Sequence, residues 1–256
     1  MAIDRSTWRK SVYENFTNSY PCPRCQKGKV HRGESEIVLV EPHHSAEEHQ
    51  HEAWEPDWIV RSFTTMLTCN QTNCGEVIAV CGRAGVAHEC SDIDDFGGPV
   101  FEYLDWFQPV SMFPAPPLFP IIYDLPQSVK QELNLAFQLY WTDLSASTSR
   151  LRTSLERVLD DQNIETHTLN SKSNKKTRLN LFERINLFEE TTKDADLSET
   201  MNAMRIVGNL GTHGDEVSEK HFFDLLDIYE DALSEIYDQK TAKLKAIKAE
   251  LIALKK

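Results

Sequence analysis

Four cysteines in the N-terminal half of the chain have the residue type and spacing of a metal site. The segment PCPRCQKG carries Cys22 and Cys25, and the segment LTCNQTNCGE carries Cys69 and Cys74. Zn²⁺ takes four soft or borderline ligands in a tetrahedron, and two cysteines joined by a short turn can present both thiolates to one ion. The pattern predicts a structural zinc ribbon. With four protein ligands the metal has no open position for catalysis, so it would support folding.

Other interpretations of the cysteines and histidines stay open. The second pair has the wider spacing and a long insertion separates the two pairs, so four unrelated thiols are the alternative. Cys81 and Cys90 could compete for the metal, but Cys81 ends an apolar run, which favours a buried, inert thiol. The acidic segment EPHHSAEEHQHEAWEP contains four histidines: His43, His44, His49 and His51. This segment is expected to be an exposed loop that binds metal only adventitiously, because ordering the loop around an ion costs entropy.

A second set of polar residues, in the C-terminal half, has the spacing of one helix face. Arg205, Asn209 and His213 follow at four-residue steps, which places them on the same side while the helix lasts. An arginine can hold a phosphate through two hydrogen bonds, an amide can orient it, and a histidine can move protons near neutral pH. They form a candidate catalytic site. The competing interpretation is a turn, because Gly208 and Gly211 weaken a helix here.

Bulk composition restricts the class of protein. The chain has 256 residues, of which 40% are hydrophobic, enough to bury a sizeable core. It lacks the roughly 18 apolar residues of a membrane span and the apolar run of a signal peptide, so we expect a soluble cytoplasmic protein without a membrane partner. In a reducing compartment its six cysteines are expected to be thiols or metal ligands. The net charge of -13 requires any nucleic-acid contact to be local.

Two domains with different periodicity must position these residues, and together they predict an α+β fold. Residues 1–117 contain β-leaning runs at 36–40, 63–69 and 77–81 and are expected to form a small β domain containing the zinc ribbon. The proline-rich segment FQPVSMFPAPPLFP is expected to run extended across a surface, without forming a central strand, and to mark the junction. Residues 118–256 are expected to form an all-helical domain.

Helical periodicity begins after Pro126 and predicts a bundle of about five helices. The first follows Pro126, and others are expected at 145–160, 178–190, 197–210 and from 218 onward. The polar segment QNIETHTLNSKSNKKT is expected to be a loop. The last helix is expected to continue into KTAKLKAIKAELIALKK, where one face is apolar: Leu244, Ile247, Leu251 and Leu254. This face predicts a binding partner, unless the helix packs on its own bundle.

The C-terminal half resembles a bacterial family, domain of unknown function 4145. The resemblance rests on SRLRTSLERVL at 149–159, RIVGNLGTH at 205–213 and the preceding FQPVSMFPAPPLFPI, and it covers roughly residues 105–240. It implies a HEPN-like helical domain, often preceded by a cysteine ribbon, common in toxin, restriction and antiviral defence systems, and often a homodimer through the helices. Arg152 and Glu156, four residues apart, are expected to form a structural ion pair or to support the 197–210 helix.

The resemblance also implies what an active site would need. Active HEPN ribonucleases carry an arginine, a polar residue and a histidine, and cleave RNA without metal by using the ribose 2′-OH. Asn209 and His213 match the polar and histidine positions, but Gly208 stands where the arginine is expected. An arginine would be the main electrostatic contribution to such catalysis. Arg205, one turn earlier, could replace it geometrically.

Two functions are consistent with these features. The first is a non-catalytic zinc-ribbon plus HEPN-like module that binds a partner protein or nucleic acid in bacterial defence or restriction; Gly208 and the acidic charge favour it. The second is a metal-independent endoribonuclease in which His213 is the general acid or base, Arg205 holds the phosphate and Asn209 orients it. A phage-encoded inhibitor and a metabolic enzyme are further alternatives. Nucleic-acid binding would need a local basic patch, for which the candidates are Arg24, Lys27, Lys29, Arg178 and the C-terminal lysines.

Overall fold

The chain folds into two compact units. The computed structural model describes residues 3–13, 16–93, 97–169, 175–213, 217–238 and 240–253, without the side chains of Ser91 and of residues 211–213, 240–243 and 245–246. One unit is Asp4–Pro117, and the other combines Leu118–Lys256 with Met1–Ile3. The first is rich in strands and the second in helices, so the predicted α+β class is confirmed. Within the described ranges, no helix has the length and apolar character needed to cross a membrane.

The N-terminal unit is an antiparallel sheet of seven strands. The bounds are β1 Val12–Tyr13, β2 Tyr20–Pro21, β3 Lys29–His31, β4 Val38–Val40, α1 His43–Glu48, β5 Val60–Cys69, β6 Val77–Ile93 and β7 Pro99–Phe113, where α1 is a short helix. The strands follow the order β1-β7-β6-β5-β3-β2, and β4 pairs with β5 beside this path. Two 3-10 turns, Arg5–Trp8 and Pro56–Trp58, complete the unit.

Strand alternation determines which residues of this unit are buried. Along β5 every second side chain from Phe63 to Cys69 is buried, because successive residues of a strand point to opposite faces. The ring centroid of Phe63 lies 5.7 Å from that of Phe16 and 5.3 Å from that of Phe107, which forms an aromatic core. On β6 the buried set includes Val80. The next residue, Cys81, is therefore exposed, and the prediction of a buried thiol there was wrong.

Two expectations for this unit need correction. The first part of the proline-rich segment is not a surface excursion, because β7 continues to Phe113 and pairs with β6 along its length. Pro109, which has no N–H to donate, lies opposite Gly82 at a register shift. A Cβ on Gly82 would lie 2.1 Å from the backbone oxygen of Gln108, so only glycine fits there. The histidine segment also contains a helix, α1, where a loop was expected.

The second unit is built from helices with one small hairpin. Its predicted helices are present with ends shifted by a few residues, except that two α-helices stand where one continuous last helix was expected from residue 218 onward. The bounds are α2 Gln127–Tyr140, α3 Leu144–Asp161, β8 His167–Leu169, β9 Lys176–Arg178, α4 Leu181–Thr192, α5 Ala195–His213, α6 Glu219–Leu233 and α7 Lys240–Ala253, with a π turn at Ser234–Asp238 between the last two. The hairpin β8–β9 replaces the loop that the polar composition predicted.

Apolar faces at helical spacing form the core of this unit. Leu133 and Phe137 of α2 and Leu155 of α3 are almost completely buried, as expected for residues three or four apart on one helix face. The second part of the proline-rich segment is buried too, and the ring centroid of Phe119 lies 5.3 Å from that of Phe137. In α7 the described members of the predicted apolar face, Leu244, Ile247 and Leu251, are exposed; Leu254 lies outside the described residues.

Candidate metal centre and helical polar face

Each cysteine pair lies in a turn between two antiparallel strands. The first turn follows β2, where the Cys22 N–H donates to the Gly28 carbonyl at 3.0 Å and the Gln26 N–H donates to the Cys22 carbonyl at 3.0 Å. The second follows β5, where the Cys69 N–H donates to the Glu76 carbonyl at 2.8 Å. These closures point the thiols of each turn toward the same side. The strand, turn, strand order of the second pair is the one that the sequence predicted.

Pairing of β3 with β5 brings the two turns together. Val30 stands opposite Cys69, and Asn70 locks the adjacent backbone, because its N–H donates to the Lys29 carbonyl and its Oδ1 accepts from the Lys29 N–H, both at 3.0 Å. A Cβ on Gly28 would lie 2.7 Å from the Cys69 sulfur. The turns therefore approach too closely for any side chain at Gly28, a role that cysteine spacing did not reveal.

The four sulfur atoms fit a tetrahedral metal site. The Sγ atoms of Cys22, Cys25, Cys69 and Cys74 all lie within 4.8 Å of one another. The Cys22–Cys74 and Cys25–Cys69 distances are 3.7 and 3.8 Å, and a tetrahedron with zinc–sulfur bonds of about 2.3 Å has edges of roughly 3.8 Å. A disulfide would need about 2.05 Å. The predicted set of four cysteines is thus confirmed as a cluster compatible with a metal ion.

Local hydrogen bonds and burial separate the acidities of these thiols. The Gly28 N–H donates to the Cys25 sulfur at 3.4 Å and lowers the pKa of Cys25 to about 6. Burial raises the pKa of Cys22 to about 12 and also raises the pKa of Cys69. A metal binds thiolates, so coordination must offset the cost of deprotonating the buried pair. Of these three thiols, the partly exposed Cys25 has the lowest pKa.

The other predicted competitors for metal are not in the cluster. Cys81 and Cys90 are exposed. The histidines of the α1 region are engaged separately: His49 Nε2 lies 2.9 Å from Glu41 Oε1, and the His51 ring centroid lies 5.4 Å from that of Trp58. In the part of the chain that the structure describes, the four cysteines are the only group of three or more such ligands close enough to hold one ion.

Two of the three side chains of the predicted polar face of α5, those of Arg205 and Asn209, lie within the described residues. The helix continues through Gly208 to His213, so the alternative of a turn was wrong. Arg205 donates from Nε to Asn202 Oδ1 at 2.9 Å, and its guanidinium carbon lies 5.2 Å from the centroid of the Phe182 ring. The Arg205 side chain thus contacts α4 and its own preceding turn. The side chain of His213 lies outside the described residues.

Asn209 is instead contacted by an arginine from another helix. Arg152 of α3 donates from Nη1 to Asn209 Oδ1 and, at 3.4 Å, to the Arg205 carbonyl. Its Nε lies 4.0 Å from Glu156 Oε1, which gives the expected ion pair. A Cβ on Gly208 would lie 2.8 Å from Arg152 Cβ. The glycine at the expected arginine position therefore makes room for an arginine from α3. The sequence analysis did not predict this contact, although the unexpected glycine at 208 was the one residue that could have indicated it.

Comparison with known proteins assigns the two regions separately. Residues 134–250 match the family model described as Domain of unknown function (DUF4145), which supports the predicted resemblance. Residues 10–112, which hold the cysteine cluster, match a different model, Domain of unknown function (DUF8608). No curated protein and no solved structure matches the chain. Each match covers less than half of the chain, and the N-terminal and C-terminal regions are similar to two different families.

Proposed function

We propose that this chain is a non-catalytic binding module of a bacterial defence or restriction system. Its N-terminal domain is a zinc-ribbon domain in which Zn²⁺ bound by Cys22, Cys25, Cys69 and Cys74 supports the fold. Its C-terminal domain is a HEPN-like helical domain that binds a partner protein or nucleic acid and forms a homodimer. The module acts in the cytoplasm.

The sulfur geometry supports zinc as the resident metal. Four thiolate ligands in a tetrahedron select Zn²⁺ or iron, and zinc is the ion of structural sites with this ligand set. Protein purified without chelator is expected to contain one zinc per chain by elemental analysis. Cys22→Ser should lose the metal and unfold at lower temperature, whereas Cys81→Ser, which changes an exposed thiol outside the cluster, should keep both. Iron in place of zinc, or equal behaviour of the two variants, would contradict the assignment.

The contact of Arg152 with Asn209 carries the non-catalytic part of the proposal. The amide that would orient a phosphate is already hydrogen-bonded to a guanidinium, and Arg205 is bonded to Asn202. Groups already engaged in such hydrogen bonds must be released before they can bind a scissile phosphate, at a cost of the order of a charged hydrogen bond, about 1.5–3 kcal/mol. The arrangement favours a structural role for this face.

The exposed apolar face of α7 supports a binding role for the helical domain. Leu244, Ile247 and Leu251 are each about half exposed or more, and apolar side chains at this spacing form the seam between paired helices. Light scattering and pull-down with the full chain are expected to recover a dimer or a stable complex. A strictly monomeric protein without any partner would contradict this part of the proposal.

The endoribonuclease is the second candidate, and one observation favours it. Arg152 brings a guanidinium to the α5 face at the level of Gly208, so a positive charge is present where the α5 sequence lacks one. If this arginine acts on RNA, purified protein should cleave RNA in the presence of EDTA, and His213→Ala should abolish cleavage. The proposed non-catalytic function predicts intact RNA with both proteins.

A further inference from the structure

An open cleft on the helical unit is lined by several arginines. It has a volume of about 600 Å³ and lies between α3, the hairpin β8–β9 and the start of α4. This volume is within the range of roughly 300–1,000 Å³ that is typical of small-ligand sites. Its guanidinium groups come from three different elements of the unit: Arg152, Arg157, Arg178 and Arg184.

The carboxylates of the cleft neutralise only part of this charge. Asp160 accepts from Arg184 Nη2 at 2.8 Å and from Arg157 Nη1 at 3.2 Å, and Glu156 pairs with Arg152. These two are the only acidic residues that line the cleft in the described part of the chain. Arg178 is exposed, and within the described ranges its side chain has no ion pair or hydrogen bond. Four guanidinium groups facing two carboxylates leave a positive surplus in a chain whose net charge is -13.

Arg184 shows that the cleft is built rather than incidental. It is only 5% exposed, yet it is held in place by Asp160 and by the Ile164 carbonyl at 3.1 Å. Its buried Nε has no hydrogen-bond partner among the described residues. A buried donor without a partner costs about 1–3 kcal/mol unless a ligand or water satisfies it. This guanidinium therefore retains donor capacity next to the cleft.

The charge continues along the hairpin beyond the cleft. The described residues 166–169 and 175–182 contain two lysines and one arginine and no acidic residue. Lys175 and Lys176 are exposed at the start of β9, two or three residues from Arg178. A row of cations that extends outside a pocket suits a ligand with several regularly spaced anionic groups.

We propose that this cleft binds the phosphate groups of nucleotides, in a single-stranded nucleic acid or a free nucleotide. Guanidinium groups match phosphate oxygens in bidentate geometry, and exposed lysines follow a phosphate backbone as point charges. Arg178 is the primary contact and Arg157 the second. This inference rests on the proposed binding function and names its ligand chemistry; it does not require the α5 polar face to be catalytic.

The test measures binding of a short fluorescein-labelled single-stranded RNA to the full chain by fluorescence anisotropy, with adenosine monophosphate as competitor. Arg178→Ala and Arg157→Ala are compared with Arg150→Ala. Arg150 is the matched control for Arg157, because both lie on α3, are nearly equally exposed and pair with one carboxylate at 3.3 and 3.2 Å, but Arg150 does not line the cleft. Each experiment is checked on a gel for intact RNA.

We expect Arg178→Ala to weaken binding roughly tenfold and to reduce the dependence of log K on log salt by about 0.7, the contribution of one phosphate contact in a single strand. Arg150→Ala should change neither. Competition by the mononucleotide identifies a site for one nucleotide, and its absence identifies a strand site. Absence of binding to both probes, or equal binding by all variants, would overturn the inference. RNA cleavage that depends on His213 would instead contradict the non-catalytic function while leaving the cleft result intact.

Discussion

The close approach of the two cysteine turns at Gly28 gives the sharpest test of the metal centre. In Gly28→Ala the new Cβ would lie 2.5 Å from Gln71 Cγ, 2.7 Å from the Cys69 sulfur and 2.8 Å from Asn70 Oδ1. The Gln71 side chain can move aside, but the Asn70 amide oxygen is held by the Lys29 N–H and the Cys69 sulfur lies within the four-cysteine cluster. The substitution must therefore separate the two turns.

The size of the effect follows from overpacking of a tight contact. Inserting one methyl group into such a contact costs about 1–3 kcal/mol, which corresponds to a lowering of the melting temperature by roughly 4–12 °C for a unit of this size. Displacement of Cys69 should also lower the affinity for zinc. The two measurements are thermal unfolding of the zinc-loaded protein and competition for zinc with a chromophoric chelator.

Gly75→Ala is the control that separates crowding from backbone strain. Gly75 has a φ of +58°, and no atom lies within 4 Å of an added Cβ. Alanine there costs about 1–2 kcal/mol through the left-handed backbone alone and should leave zinc affinity closer to that of the natural protein. If Gly28→Ala binds zinc as tightly as the natural protein and unfolds at the same temperature, the two turns are not in the contact described above.

Three further predictions concern single groups. In metal-free protein Cys25 should be the first thiol alkylated at pH 7, because the Gly28 N–H lowers its pKa to about 6. The stability that the Cys25 thiolate contributes is present above the pKa of the unfolded thiol and is lost as the pH falls through about 6. Thiolate absorbance and melting curves recorded against pH would follow this loss. Asn209→Ala should destabilise the helical unit by about 1.5–3 kcal/mol in denaturant unfolding, because the Arg152 guanidinium loses its acceptor. Ser154→Ala and Tyr229→Phe each break a buried hydroxyl pair and should cost about 1–3 kcal/mol, with the double variant less than additive.

The placement of Arg152 also changes how the α5 segment is interpreted. A sequence motif requires the arginine, the amide and the histidine on one helix, but a binding face needs them only in one region of space. Here the guanidinium comes from α3 and reaches Asn209 across Gly208. A chain that lacks the motif arginine can therefore keep the charge while using it for helix packing.

The sequence by itself determined the features that depend on local spacing. Cysteine pairs separated by short turns predicted the ligand set Cys22, Cys25, Cys69 and Cys74, because a turn that closes on itself must present both thiols to one side. Apolar residues at three- and four-residue steps predicted the helices, whose positions the structure reproduces within a few residues. The change of periodicity after Pro126 also indicated the change from strands to helices.

Only the tertiary structure decided the features that depend on contacts distant in the sequence. Burial along β6 follows from its register with β5 and β7, so the exposure of Cys81 could not be derived from an apolar run. Pro109 fits within a paired strand because Gly82 across from it has no side chain. The pairing of Arg152 with Asn209, and the gathering of arginines from α3, β9 and α4 into one cleft, arise because helix packing fixes side-chain neighbours that sequence spacing does not encode.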